Sequence, residues 1–103
     1  MTAFIDVVKK IEAALKRAGI SYVDIAFRCY SAGEDASLLS EEEKEILWQG
    51  GLFPVGGWEI IVSHMKVDEG GVMWSQQEII GRGKTFQGAI DNALDNLRKR
   101  VGE

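Results

Sequence analysis

The sequence predicts an α+β domain: a two-layer sandwich of a three-stranded antiparallel sheet with two long helices on one face, in the order α-β-β-β-α. Three observations lead there. Residues 2–18 and 86–101 carry apolar side chains at helical spacing. Residues 20–30 alternate with a period of two. Two apolar runs flank Asp68-Glu69-Gly70-Gly71, whose glycines accept the positive φ that hairpin turns need.

In the first helix, Phe4, Val8, Ile11, Leu15 and Ala18 line one side, while Lys9, Glu12, Lys16 and Arg17 point away. Thr2 is the expected N-cap and Gly19 the stop. In the strand that follows, Val23, Ile25, Phe27 and Cys29 share the apolar face, and Tyr22, Asp24, Ala26 and Arg28 the wet one. Residues 31–57 form an insertion between the first and second strands. Within it, Ser40-Glu41-Glu42-Glu43 has the pattern of a capping box, opening a short helix that ends at Gly50-Gly51.

The hairpin is expected to close over a four-residue loop between Val67 and Val72. That register sets Met65 against Trp74, Ile60 against Ile79 and His64 against Ser75. Gly81 and Gly83 then end the last strand, and Thr85 caps a helix with Phe86, Ala89, Ile90, Ala93, Leu94, Leu97 and Val101 on its apolar side. Arg98, Lys99 and Arg100 complement the negative end of its dipole.

The 103 residues contain no Pro/Gly/Ser-rich linker, so residues 1–103 are expected to form one domain. No apolar run reaches the ~18 residues of a membrane span, and charged residues interrupt the N-terminal apolar positions, against a signal peptide. The single cysteine excludes an internal disulfide and suits a reducing cytoplasm. The net charge of −4 is unevenly placed. Residues 34–45 hold six acidic side chains against Lys44 alone, while the rest of the chain is one unit positive.

Few residues suggest chemistry. His64 lacks further His or Cys ligands beyond Cys29, so no metal site is expected, and Cys29 reads as a small buried thiol. Asp91 with Asp95, and the glutamates at 41–45, lie on helix faces that need solvation and lack the loop geometry of calcium sites. Gly81-Arg82-Gly83-Lys84-Thr85 fails the phosphate-loop pattern at its first glycine. No catalysis and no cofactor are expected.

The run Gly81-x-Gly83-x-Thr85-x-x-x-Ala89-x-x-x-Ala93 resembles the last turn and helix of double-stranded-RNA-binding domains, over about twenty residues. That resemblance implies the same α-β-β-β-α order, and a nucleic-acid surface at Lys9, Lys10, Lys16, Arg82 and Lys84. The basic grip that the family places at the start of this helix is replaced here by Phe86, Gln87 and Ile90. In size and acidic character the chain also looks like small phage and mobile-element accessory proteins, anti-CRISPR inhibitors among them.

The reading that follows is a cytoplasmic, non-enzymatic protein-binding module, an inhibitor or adaptor of that type acting on a host protein. Its contact residues are expected on the insertion: Glu41, Glu42 and Glu45 as a charged rim, with Trp48 and Phe53 as aromatic anchors for a partner with a basic surface, the alternative being that the insertion and its aromatics cover the open sheet face. Nucleic acid is the alternative partner, a membrane is not expected, and self-association is left open.

Overall fold

Both long helices form where the apolar spacing places them. The computed structural model describes the backbone of residues 2–102 and the side chains from Phe4 onward, apart from Glu34 and Asp35. The Thr2 side chain, expected as a cap, therefore lies outside the described residues. Helix α1 spans Thr2–Arg17 and α3 spans Phe86–Arg100, and both pack on one face of a single antiparallel sheet of order β1-β2-β3. The strands are β1 (Asp24–Tyr30), β2 (Gly57–Val67) and β3 (Met73–Gly83). A short 3-10 turn (Glu34–Leu38) and helix α2 (Glu41–Gln49) lie between β1 and β2, as the insertion was expected to do.

The core sits between the sheet and the helix pair. Ile60 and Val62 of β2 and Ile80 of β3 meet Ile11 and Leu15 of α1 and Ala89, Ile90, Ala93 and Leu97 of α3. Each fully buried aliphatic side chain there contributes about 1.5–3 kcal/mol. Half-buried rings extend the core at one end. Phe27 contacts Phe4 edge-on at 5.4 Å between centroids, and Trp58 contacts Phe86 at 5.0 Å.

A β-bulge in β3 decides what each face of the sheet carries. Ile61 pairs with Ile79 but Ile60 pairs with Gly81, so Ile80 is the extra residue. Such a bulge turns two successive residues toward the same side. Ile80 fills the core, and Gly81 and Gly83 also face the helices. There the missing side chains matter: a Cβ on Gly81 would lie 2.6 Å from Ala93 Cβ, and one on Gly83 would lie 2.3 Å from Ala89 N. These glycines belong to β3 and admit α3, instead of ending the strand as expected. Arg82 between them is thereby sent to the opposite, open face, across from Glu59.

The hairpin register also differs from expectation by one residue. Met65 pairs with Ser75, His64 with Gln76, Lys66 with Trp74 and Val67 with Met73. Val72 belongs to the turn, because Asp68 Oδ1 accepts from its N–H at 2.8 Å while Asp68 N donates to its carbonyl at 3.0 Å. The aspartate side chain thus fixes a longer loop than glycine counting suggests. Trp74 is 47% exposed, since this part of β3 extends beyond the core instead of edging it. Cys29 is exposed as well, contrary to the buried thiol expected. It lies beyond Phe27, whose partner Phe4 is already at the N-terminal end of α1.

The caps follow the sequence closely. Ser40 Oγ accepts from Glu43 N at 3.1 Å and Glu43 Oε1 accepts from Ser40 N at 3.0 Å, a complete capping box. Thr85 Oγ1 accepts from Gly88 N at 3.0 Å and caps α3. Among the described residues no helix is long and apolar enough to cross a membrane.

Candidate functional site

The open face of the sheet has two parts, one covered by the insertion and one bare. The covered part is organised by Arg82. Its guanidinium lies 3.8 Å from the Trp48 ring centroid and 4.8 Å from that of Phe53. Nη1 donates to the Trp48 carbonyl at 2.8 Å and Nη2 to the Leu52 carbonyl at 2.9 Å. These carbonyls lie where α2 ends and the chain turns toward β2; that of Trp48 also accepts from Gly51 N at 3.1 Å, so one side chain ties the end of α2 to the segment after it. Lys84 adds a second tie, 3.8 Å from Glu45 Oε2 and 5.4 Å from the Trp48 centroid.

Phe53 fills the space above the central strand. Its ring stacks on Tyr30 of β1 at 4.3 Å with an interplanar angle of 5°, and meets Trp48 edge-on at 5.4 Å. It occupies the side-chain position that Gly57 leaves empty, where a Cβ would lie 2.5 Å from Phe53 Cδ1. Beneath this cover, Glu59 is buried and its Oε1 accepts from the Tyr30 hydroxyl. The Arg28 guanidinium stands 3.9 Å from the same oxygen. Tyr30, Gly57 and Glu59 carried no sequence signal for this role, because each depends on a contact between β1, β2 and the returning insertion.

The expected contact residues separate into two groups. Trp48 and Phe53 are half-buried and turned toward Arg82 and Tyr30. Glu41, Glu42 and Glu45 are exposed, Glu41 accepting from Lys44 at 3.1 Å and Glu45 from Gln49 at 2.8 Å. The capping-box hydrogen bonds hold the Glu43 carboxyl below the ordinary glutamate range, chiefly through the Ser40 backbone N–H. The five cations of the alternative nucleic-acid set are not brought together. Lys9, Lys10 and Lys16 lie on the exposed side of α1, whereas Arg82 and Lys84 lie against the insertion.

The bare part of the face begins beyond the insertion. Across β2 and β3 the pairs Ile61–Ile79, Ser63–Gln77, Met65–Ser75 and Val67–Met73 share it, Ile61 and Ser63 being themselves buried. Ile79, Met65, Val67 and Met73 are 54%, 43%, 63% and 62% exposed. From Ile79 to Met73 the strip runs about 20 Å along the strand.

His64 stands on the helix side of the same hairpin. Its Nδ1 is 2.7 Å from the Ser21 carbonyl and its Nε2 is 3.2 Å from Glu78 Oε1. Arg100 at the end of α3 also pairs with Glu78, and this contact is the main reason the Glu78 carboxyl titrates below its ordinary value. His64 and Cys29 do not form a nucleophile pair. Cys29 pairs with Trp58, six residues from His64 on β2, or about 20 Å. Among the described residues no group of three His, Cys, Asp or Glu side chains is placed to hold a metal ion. No protein-family model, curated protein or solved structure matches this chain.

Proposed function

We propose that this chain is a non-catalytic protein-binding module, an inhibitor or adaptor that acts by occupying a partner's surface. The partner meets the bare sheet face of the β2–β3 hairpin, with the acidic insertion as its charged rim. One observation carries the reading: four large apolar side chains stand exposed on one face of a two-stranded ribbon, Met65, Val67 and Met73 adjacent at its turn end and Ile79 beyond the Ser63–Gln77 pair. An apolar strip beside charged groups is the composition of a protein interface, and its exposure disfavours the free protein in water.

The insertion supports this reading twice. Its internal ties to Arg82 and Tyr30 fix how far it covers the sheet, so the strip stays open. Its exposed Glu41, Glu42 and Glu45 favour a partner with basic groups around an apolar patch, and would speed association at low salt. A small phage inhibitor of a host protein would use a surface of this kind.

Photo-cross-linking tests the reading. A photoreactive side chain placed at Met73 or Ile79 should capture a protein of another chain, and the same group at Lys9 on α1 should not. Capture from Lys9 alone, or from none of these positions in the native host, would overturn it.

A further inference from the structure

A groove of about 530 Å³ lies on the helix layer between α1 and α3. Ala14, Leu94 and Val101 supply apolar surface there, and Lys10, Arg17 and Arg98 are cationic groups at its border, with Asp91 the acidic exception. Asp91 accepts from Gln87 at 2.9 Å, and Arg98 pairs with Asp95 at 2.8 Å. Over their full lengths α1 and α3 carry seven Lys or Arg against four Asp or Glu. The insertion has the opposite balance, as shown above for residues 34–45.

The outer side of α2 matches this groove in chemistry and size. Lys44, Leu47 and Trp48 are half-buried, which leaves Glu42, Glu45, Ile46 and Gln49 on the exposed side at helical spacing, Glu45 at its edge, 3.8 Å from Lys84. Ile46 is 63% exposed between the two glutamates. A nine-residue helix is about 14 Å long, and the α3 wall from Asp91 to Val101 extends about 15 Å.

We infer that α2 of a second copy seats in this groove, with Ile46 on the Ala14–Leu94–Val101 surface and Glu42 and Glu45 toward Lys10 and Arg98. The groove is on the helix side of the sheet and α2 is on the open side, so the contact joins unlike patches. It therefore runs head to tail and does not close at two copies. A helix this short buries less than the ~800 Å² per partner of a standard interface, so the association is weak and falls with salt. The contact is distinct from the hairpin strip proposed above, although the insertion borders both.

Sedimentation velocity over a wide concentration range is the test. The unaltered chain should grow past the dimer as concentration rises, and salt should reverse the growth. Lys10→Glu with Arg98→Glu, and separately Glu42→Lys with Ile46→Asp, should each stay monomeric. Mixed together they should form a species that stops at two, because each retains one intact patch. Circular dichroism checks the fold, and Arg98→Ala replaces the reversal if Arg98→Glu unfolds. The hairpin variant Met73→Ser with Ile79→Ser should self-associate normally while losing its partner, which separates this inference from the functional reading. A chain monomeric at every concentration, an association untouched by both groove and α2 variants, or a mixture that stays monomeric would overturn it.

Discussion

Replacing Arg82 with alanine should release the insertion while leaving the two-layer core folded. The side chain makes two charge-assisted hydrogen bonds to the Trp48 and Leu52 carbonyls and lies against the Trp48 ring. Charged hydrogen bonds contribute about 1.5–3 kcal/mol each and a cation–π contact about 0.5–2 kcal/mol. The Leu52 bond is solvent-exposed, so the lower end of each range applies, giving about 3.5 kcal/mol in all. That corresponds to insertion opening roughly three-hundredfold more often. Amide exchange by NMR reads this directly: the amides of residues 44–51 should exchange faster by about that factor, while those of Ile60 and Val62 stay protected. Arg82→Lys should fall between, because an ammonium keeps the charge but lacks the planar fork that reaches two carbonyls. Unchanged exchange in α2 would refute the latch. Equal acceleration of α2 and core amides would show that the insertion unfolds only with the whole chain.

Two further perturbations follow from the same geometry. Gly83→Ala should destabilise the fold by about 3 kcal/mol or more in a denaturant melt, because its Cβ would meet the α3 backbone at 2.3 Å and neither element has a flexible atom there to yield. Glu78 carries a pH dependence: its carboxyl is lowered mainly by Arg100, with His64 helping and burial opposing. The stability it contributes is therefore complete above the unfolded glutamate value of about 4.3 and is lost as pH falls through the lower folded value. Urea midpoints measured from neutral to acid pH should show this loss, and Glu78→Gln should flatten the profile in that window.

The helices, the strand order and the caps were legible because each is written in local sequence. Ile11 and Leu15, four apart, suffice to orient α1, and Ser40 with Glu43 suffices to start α2. The hairpin register was not legible, because the Asp68 side chain and the bulge at Ile80 both add a residue that an alternating pattern does not reveal. That bulge had the largest consequence. It turned two glycines that look like a strand terminator into the seat of α3, and it moved Arg82 from a supposed phosphate contact to the underside of the insertion. Whether Trp48 and Phe53 turn inward was left open by the sequence, since their partners Arg82 and Tyr30 are distant in it. Cys29 shows the converse limit: alternation gives the face a residue is on, but not whether a helix reaches far enough to cover it.

In the proposed function, a partner protein binds the bare strip of the hairpin. The most direct test is calorimetric titration of the cross-linked partner, once purified, against the unaltered chain and against Met73→Ser with Ile79→Ser. Both residues are more than half exposed, so the double variant should melt with the unaltered protein. The account predicts at least about tenfold weaker binding, equivalent to about 1.4 kcal/mol, with a smaller negative heat-capacity change because less apolar surface is buried. Unchanged affinity and heat capacity in a folded double variant would contradict it.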